Sequence, residues 1–150
     1  MRYVLERRQT VNRSRGEVFA FFADAANLER LTPGSMHFHI LTPLPIDMRA
    51  GAVIDYRIAL FGVPLRWRTL IDLFEPEARF VDVQTSGPYS FWRHTHSFED
   101  APGGGTIITD HVEYALPFGP LGRMAHALFV GRQLRHIFDF RQKIIAGLFG

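Results

Sequence analysis

Gly87-Pro88-Tyr89-Ser90-Phe91-Trp92-Arg93-His94-Thr95-His96-Ser97-Phe98 reads as a turn followed by a strand. Strand side chains alternate between faces, so Trp92, His94, His96 and Phe98 point one way while Phe91, Arg93, Thr95, Ser97 and Glu99 point the other. The second face is polar and suits water. The first sets two imidazoles between two large aromatics, which fits neither a plain core nor a plain surface, and it reads as the wall of an internal pocket. The rest of the chain is then a question of what closes over that wall.

Strands surround it in sequence. Residues 2–12 alternate weakly, with Tyr3, Leu5 and Val11 among charges. His37 to Leu41 and Ala52 to Leu60 follow, the latter with Ile54, Tyr56, Ile58 and Leu60 on one face. After Phe61-Gly62-Val63-Pro64, read as a hairpin tip bordering the pocket entrance, Leu65 to Phe74 carries Leu65, Trp67, Thr69, Ile71 and Leu73 inward. Arg79 to Ser86 and Thr106 to Leu116 complete the set. The short connections between them predict antiparallel neighbours rather than βαβ units.

Two helical regions interrupt the strands. Ser14-Arg15-Gly16-Glu17 has the form of a capping box and predicts a helix through Val18, Phe19, Phe21 and Phe22. Asp24 can cap a second short helix through Asn27 to Leu31, which Thr32-Pro33-Gly34 stops. After Pro117-Phe118-Gly119-Pro120 the chain becomes a long helix. From Val130 on, Val130, Leu134, Ile137, Phe138, Ile144, Ile145 and Leu148 form one apolar stripe. Leu121, Met124, Ala125 and Leu128 fall out of phase with it, which predicts a kink at Gly131 or a separate surface. An antiparallel sheet buries such a helix by curling around it, and a curled sheet leaves a hollow.

Composition sets the bounds. One domain spanning 1–150 is the expectation for this length. The net charge is only +2 and the basic residues are scattered outside the C-terminal segment, so no nucleic-acid partner is expected. Cysteine is absent, which excludes disulfide and thiolate chemistry. With no long apolar run at the N-terminus or elsewhere, the chain reads as soluble and cytoplasmic, without stable membrane insertion.

The order strand, two short helices, six strands and long helix resembles the α+β helix-grip fold of the Bet v 1-like, or START-related, superfamily: a curved antiparallel seven-stranded sheet around a long C-terminal helix. More specifically it resembles the SRPBCC group of polyketide cyclases/dehydrases and lipid-transport proteins. The residues that carry this are Val18 to Asp24 with Asn27-Leu28 and Thr32-Pro33, Arg79 to Gln84 leading to Gly87-Pro88-Tyr89, and the Trp-x-His-x-His-x-Phe strand. Asp110 to Tyr114 with Pro117-Phe118-Gly119, and Ile137 to Arg141, complete the pattern. The resemblance implies a hydrophobic ligand cavity between sheet and helix. It implies no common reaction, since the superfamily holds carriers, sensors and a few enzymes.

The candidate chemistry lies in a few polar residues on inward faces. Asp110 interrupts the apolar face of Ile108, Val112, Tyr114 and Leu116, and Asp82 does the same beside Phe80 and Gln84. An inward carboxylate needs a partner. Arg141 falls on the apolar stripe of the final helix, and it either reaches into the hollow or carries its guanidinium out to the rim. Asp82, Gln84, His94, His96, Asp110 and Arg141 are therefore grouped as one polar cluster at an end of the pocket, with Tyr56, Trp67, Trp92, Tyr114 and Phe138 among its apolar lining. His94 and His96, roughly 6.5–7 Å apart at Cα, can reach one metal with Asp82 or Asp110 as third ligand. That spacing fixes neither ligand count nor geometry, so no metal or other cofactor is expected.

Three functions follow from these residues. The first is binding of a hydrophobic small molecule or lipid, as a carrier or sensor. The second is a cyclase/dehydratase-type enzyme with His94 or His96 as acid or base, Asp82 or Asp110 tuning it, and Arg141 stabilising an enolate or carboxylate; the catalytic candidates are His94, His96 and Asp110. The third is an interaction module, with Leu121, Met124, Leu128 and Phe129 as a homodimer or partner surface. If the cluster serves a ligand, an apolar isostere at His94 or Asp110 should alter uptake more than stability.

Overall fold

Tyr3–Val11 (β1) does not pair with its neighbour in sequence but with the last strand, Thr106–Ala115 (β7), antiparallel from Tyr3 opposite Tyr114 to Val11 opposite Thr106. The computed structural model describes all residues, 1–150. Between these two strands lie His39–Ile40 (β2), Val53–Leu60 (β3), Val63–Glu75 (β4), Arg79–Ser86 (β5) and Phe91–Asp100 (β6). The seven strands form one antiparallel sheet in the order β1-β7-β6-β5-β4-β3-β2. Arg15–Phe22 (α1) and two 3-10 turns, Ala25–Leu28 and Gly34–Met36, connect β1 to β2.

The cap residues act as their chemistry dictates. The Ser14 hydroxyl accepts from the Glu17 amide at the start of α1, and an Asp24 carboxylate oxygen accepts from the Ala26 amide. The second helix is a 3-10 turn, Ala25–Leu28, that follows this cap directly and ends short of the predicted Leu31. Strand β2 is shorter than the predicted His37–Leu41. His37 has a left-handed backbone (φ 47°) that closes the Gly34–Met36 turn, so pairing begins only at His39.

Strand β4 also departs from simple alternation. Trp67, Thr69 and Ile71 are buried as predicted, but the register with β5 shifts between Ile71 and Leu73. The bulge displaces Leu73 from the inward set, and Phe74 packs against the core in its place. Phe61-Gly62 joins β3 to β4 as a two-residue turn with both φ angles positive (52° and 80°), the form that matches the twist of a hairpin.

The C-terminal helical segment runs through Pro120–Ala125 (α2), a π turn His126–Val130, and Gly131–Phe149 (α3). There is no break at Gly131, whose φ is −60°. The amide of Gly131 instead donates to the carbonyl of His126, and the extra residue in that turn rotates the preceding side chains around the axis. This is the reason Leu121, Met124 and Leu128 stand out of phase with the stripe of α3. They are exposed, whereas Leu134, Phe138, Ile145 and Phe149 are buried against the sheet.

Two apolar clusters make up most of the core. One collects Leu5, Ile58, Trp67, Trp92, Val112, Leu134 and Phe138, and the other Val11, Val18, Phe22, Phe80, Phe98, Ile108 and Ile145. Four elements, β1, β6, β7 and α3, contribute to both, and on the last three the crossing point is polar and buried. On β6 it is His94 and His96 between Trp92 and Phe98, on β7 Asp110 between Val112 and Ile108, and on α3 Arg141 between Phe138 and Ile145. A polar layer thus crosses the middle of the core.

Candidate functional site

The strand registers build this layer. His94 stands opposite Asp82 on one side and Val112 on the other, and His96 stands opposite Phe80 and Asp110. The bonds run diagonally. His94 Nε2 bonds Asp110 Oδ1 at 2.8 Å, and His96 Nε2 bonds Asp82 Oδ2 at 2.6 Å. Arg141, delivered from α3, donates from Nη2 to His96 Nδ1 at 3.3 Å and to Asp110 Oδ1 at 3.4 Å. Trp92 Nε1 donates to the other Asp82 oxygen at 3.3 Å.

These contacts assign protons. A guanidinium only donates, so His96 Nδ1 is an acceptor, and its proton sits on Nε2, facing Asp82. His96 is also the middle ring of a stack, 4.1 Å from Phe80 and 3.6 Å from His94 between centroids. Burial, with the neighbouring His94 charge, pushes its pKa down to about 4, so the ring is neutral at pH 7. Burial alone would raise the Asp110 carboxyl, but the Arg141 guanidinium and the His94 hydrogen bond outweigh it and hold that pKa well below the usual carboxylate range. Asp82 moves in the same direction: burial opposes, while the His96 hydrogen bond and the His94 charge lead the lowering. With Asp110 ionised, His94 Nε2 carries a proton. Its Nδ1 lies 3.7 Å from Asp82, beyond hydrogen-bond distance. Two carboxylates face one guanidinium in the layer, and His94 Nδ1 is the one ring nitrogen of the pair without a hydrogen-bond partner.

A cavity of about 150 Å3 lies against this layer. Asp82, His94, His96 and Arg141 border it, together with Tyr56, Trp67, Trp92, Phe138 and Thr69. Two donors of bordering residues have no partner: Trp67 Nε1 and Arg141 Nε, each on a residue more than nine-tenths buried. The guanidinium of Arg141 also lies over the rings of Phe22 and Phe138, at 5.1 and 5.8 Å.

Several predicted positions are placed differently. Of the two alternatives for Arg141 the structure has the buried one, in the core and not at the rim. The polar cluster crosses the core between its two apolar halves instead of closing one end. Gln84 is outside it: its amide donates to the Tyr89 carbonyl and accepts from the Tyr89 amide, fastening the β5–β6 turn. Asp110 does not border the cavity but stands behind His94. Tyr114 faces away too, its hydroxyl 2.7 Å from His126 Nε2, where the imidazole stacks on Tyr3 at 3.5 Å. Sequence reasoning passed over His126 and over Leu28, Leu31, Met36, Phe38 and Met48, which line the cavity from irregular segments. Such segments have no period by which a face can be assigned. A lone imidazole in an apolar run was the available signal for His126.

Asp82, His94 and His96 have ligating atoms within 4.8 Å of one another. Their arrangement fits hydrogen bonding better than a metal ion. The two rings stack at 24°, so their lone pairs run side by side instead of converging, and the Arg141 cation is already against His96.

Comparison with solved structures finds the same architecture at low identity. A protein of Chromobacterium violaceum aligns over 98% of this chain and 97% of its own at TM-score 0.75 and 14% identity. Ginseng major latex-like protein 151 from Panax ginseng aligns over 99% and 97% at TM-score 0.69 and 10% identity. A norcoclaurine synthase from Thalictrum aligns over 97% and 94% at TM-score 0.67 and 16% identity. No curated protein sequence matches the chain. A family model described as polyketide cyclase / dehydrase and lipid transport matches residues 11–140. The fold is the Bet v 1-like helix grip, and the chain belongs to the polyketide cyclase/dehydrase and lipid-transport family.

Proposed function

We propose that the protein binds a hydrophobic small molecule in the cavity between the sheet and α3, as a carrier or sensor, and that the ligand presents a hydrogen-bond acceptor to the polar layer. The observation that carries this reading is the pair of unpartnered donors, Trp67 Nε1 and Arg141 Nε, on residues bordering an otherwise apolar cavity. A buried donor without an acceptor is costly and rare in folded proteins, and an acceptor supplied by a ligand removes that cost. The apolar border supplies affinity through burial, and the layer supplies orientation.

Native mass spectrometry of the purified protein, followed by denaturing analysis of any released compound, tests the reading. The two tryptophans of the chain both border the cavity, so their fluorescence reports occupancy directly. A retained organic mass, or saturable quenching by an apolar ligand, is the expected result. If no apolar compound perturbs either tryptophan, the reading fails.

A second reading is favoured by one detail, the unengaged Nδ1 of His94 beside the cavity with Asp110 behind Nε2. In this arrangement Asp110 fixes the tautomer and His94 Nδ1 takes a proton from a bound substrate, as in a dehydratase or cyclase. Norcoclaurine synthase, a fold neighbour, is an enzyme by name. Here His94→Gln would abolish turnover while leaving retention of the ligand largely intact, whereas in a carrier the same variant changes retention alone.

A further inference from the structure

Two segments meet at one end of the molecule where Phe61, at the tip of the β3–β4 hairpin, packs edge-on against Phe129 of the π turn, with centroids 6.1 Å apart. Around this contact Phe61, Phe118, Leu121, Met124, Leu128 and Phe129 are all exposed, Phe118 at 81% and Leu121 at 66%. Scattered apolar residues need no explanation, but five of these six fall within the stretch from Phe118 to Phe129, and the sixth packs on Phe129. Phe61 and Phe118 also hold left-handed backbones, with φ of 52° and 71°, a conformation that bulky residues rarely adopt. Neither ring gains burial in return.

Charge is as uneven as polarity here. No Asp or Glu occurs between Asp55 and Asp72, and none between Glu113 and Asp139. The same segments hold Arg57, Arg66, Arg123, Arg132 and Arg135, which pair with no carboxylate, although most other arginines do. Arg57 and Arg66 stand directly opposite each other across the hairpin, a like-charge pair that Asp55 on the same face offsets only in part, since its hydrogen bonds go to Arg68. Exposed aromatic and aliphatic tips interleaved with unpaired arginines are complementary to a surface that is apolar beneath and anionic on top.

We infer that this end of the molecule docks peripherally on an anionic lipid bilayer, with Phe61, Phe118, Leu121, Leu128 and Phe129 entering the interface and the arginines meeting lipid phosphates. No helix is long and apolar enough to cross a membrane, so the contact is interfacial. Leu60 and Ile137 border the cavity near this end, so the docked face adjoins the cavity wall. The inference rests on the surface alone and stands whatever the cavity holds.

The test is flotation of the full chain with vesicles of phosphatidylcholine alone and of an equimolar phosphatidylcholine and phosphatidylglycerol mixture, at low and high salt. The wild type should float with the anionic vesicles only, and high salt should release it. Arg123→Gln with Arg132→Gln should weaken partitioning by about fivefold per arginine. Phe61→Ser with Leu128→Ser should abolish it without changing the far-UV spectrum or the thermal midpoint, since both side chains are exposed. Failure to float, equal flotation with neutral vesicles, or flotation indifferent to these substitutions would overturn the inference. So would a concentration-dependent dimer, seen by light scattering, that is lost in the Phe61→Ser/Leu128→Ser protein while vesicles remain unbound. In that case a second copy of this chain is what covers the face.

Discussion

Arg141 donates from Nη2 to Nδ1 of His96 across 3.3 Å, and that contact joins the C-terminal helix to the sheet through the centre of the core. It makes His96 an acceptor on one side and a donor to Asp82 on the other, which requires the ring to be neutral. A protonated His96 would place a second cation against the guanidinium.

Stability should therefore fall in mild acid. The His96 pKa is depressed from 6.5 to about 4 on folding, so below pH 6.5 the unfolded chain binds a proton that the folded chain refuses. This single ring removes about 3 kcal/mol between pH 6.5 and 4. Asp110 and Asp82, both depressed, contribute stability above the ordinary carboxylate pKa that is lost as pH falls through their folded values. Urea denaturation at intervals from pH 7 to 4 measures the slope, and His96→Gln should flatten it between pH 6.5 and 4. An unchanged slope in the variant would remove His96 as the cause.

Arg141 and Asp110 should behave as a coupled pair. Replacing Arg141 with Leu leaves the buried Asp110 carboxylate without its cation and should cost about 3–5 kcal/mol. Asp110→Asn leaves Arg141 short of its anion. The double variant should be more stable than the sum of the two losses predicts, by about 1 kcal/mol or more in a denaturation cycle. Additive losses would mean that the 3.4 Å contact carries no energy. The expectation that an isostere at Asp110 alters ligand uptake more than stability changes accordingly, because Asp110 stands behind the cavity border.

Trp67→Phe deletes an unpartnered N–H and keeps an aromatic ring in contact with Tyr56 and Trp92. The unliganded protein should change by no more than about 1 kcal/mol, because the lost donor had no acceptor to lose. Retention of a ligand that accepts from Trp67 should drop at the same time. A large stability loss with intact retention would mean that the indole N–H serves the fold.

Gly131→Ala should destabilise although alanine is the better helix former by about 1 kcal/mol. The added methyl would sit 3.1 Å from Nε2 of His126, the atom that bonds the Tyr114 hydroxyl. The imidazole, held between Tyr3 and the Tyr114 hydroxyl, must then give by a few tenths of an ångström. A lowered thermal midpoint together with a shifted His126 ring resonance in NMR is expected. A raised midpoint would show that the ring has room to move.

The layer of His94, His96 and Asp110 was visible because strands alternate strictly: a polar residue at an apolar parity is conspicuous whatever it contacts. The same parity misassigned Leu73, since a bulge changes phase without changing composition. Gln84 had the parity of Asp82 but lies where β5 approaches the turn, and its amide found backbone there. Helical periodicity placed Arg141 on the buried stripe and left its depth open, because a long side chain can serve either a core or a rim from the same Cα.

By itself, the sequence determined the helix-grip order of elements, the caps of the first helix and the inward faces that carry imidazole and carboxylate. These are local properties, set by period and by side-chain chemistry within a few residues. Only the tertiary structure decided that the polar residues form one layer through the middle of the core, that Arg141 joins it, and that a π turn sets the exposed apolar face out of phase with α3. Those outcomes depend on strand register and on helix phase relative to the sheet, which arise from contacts between residues distant in the chain.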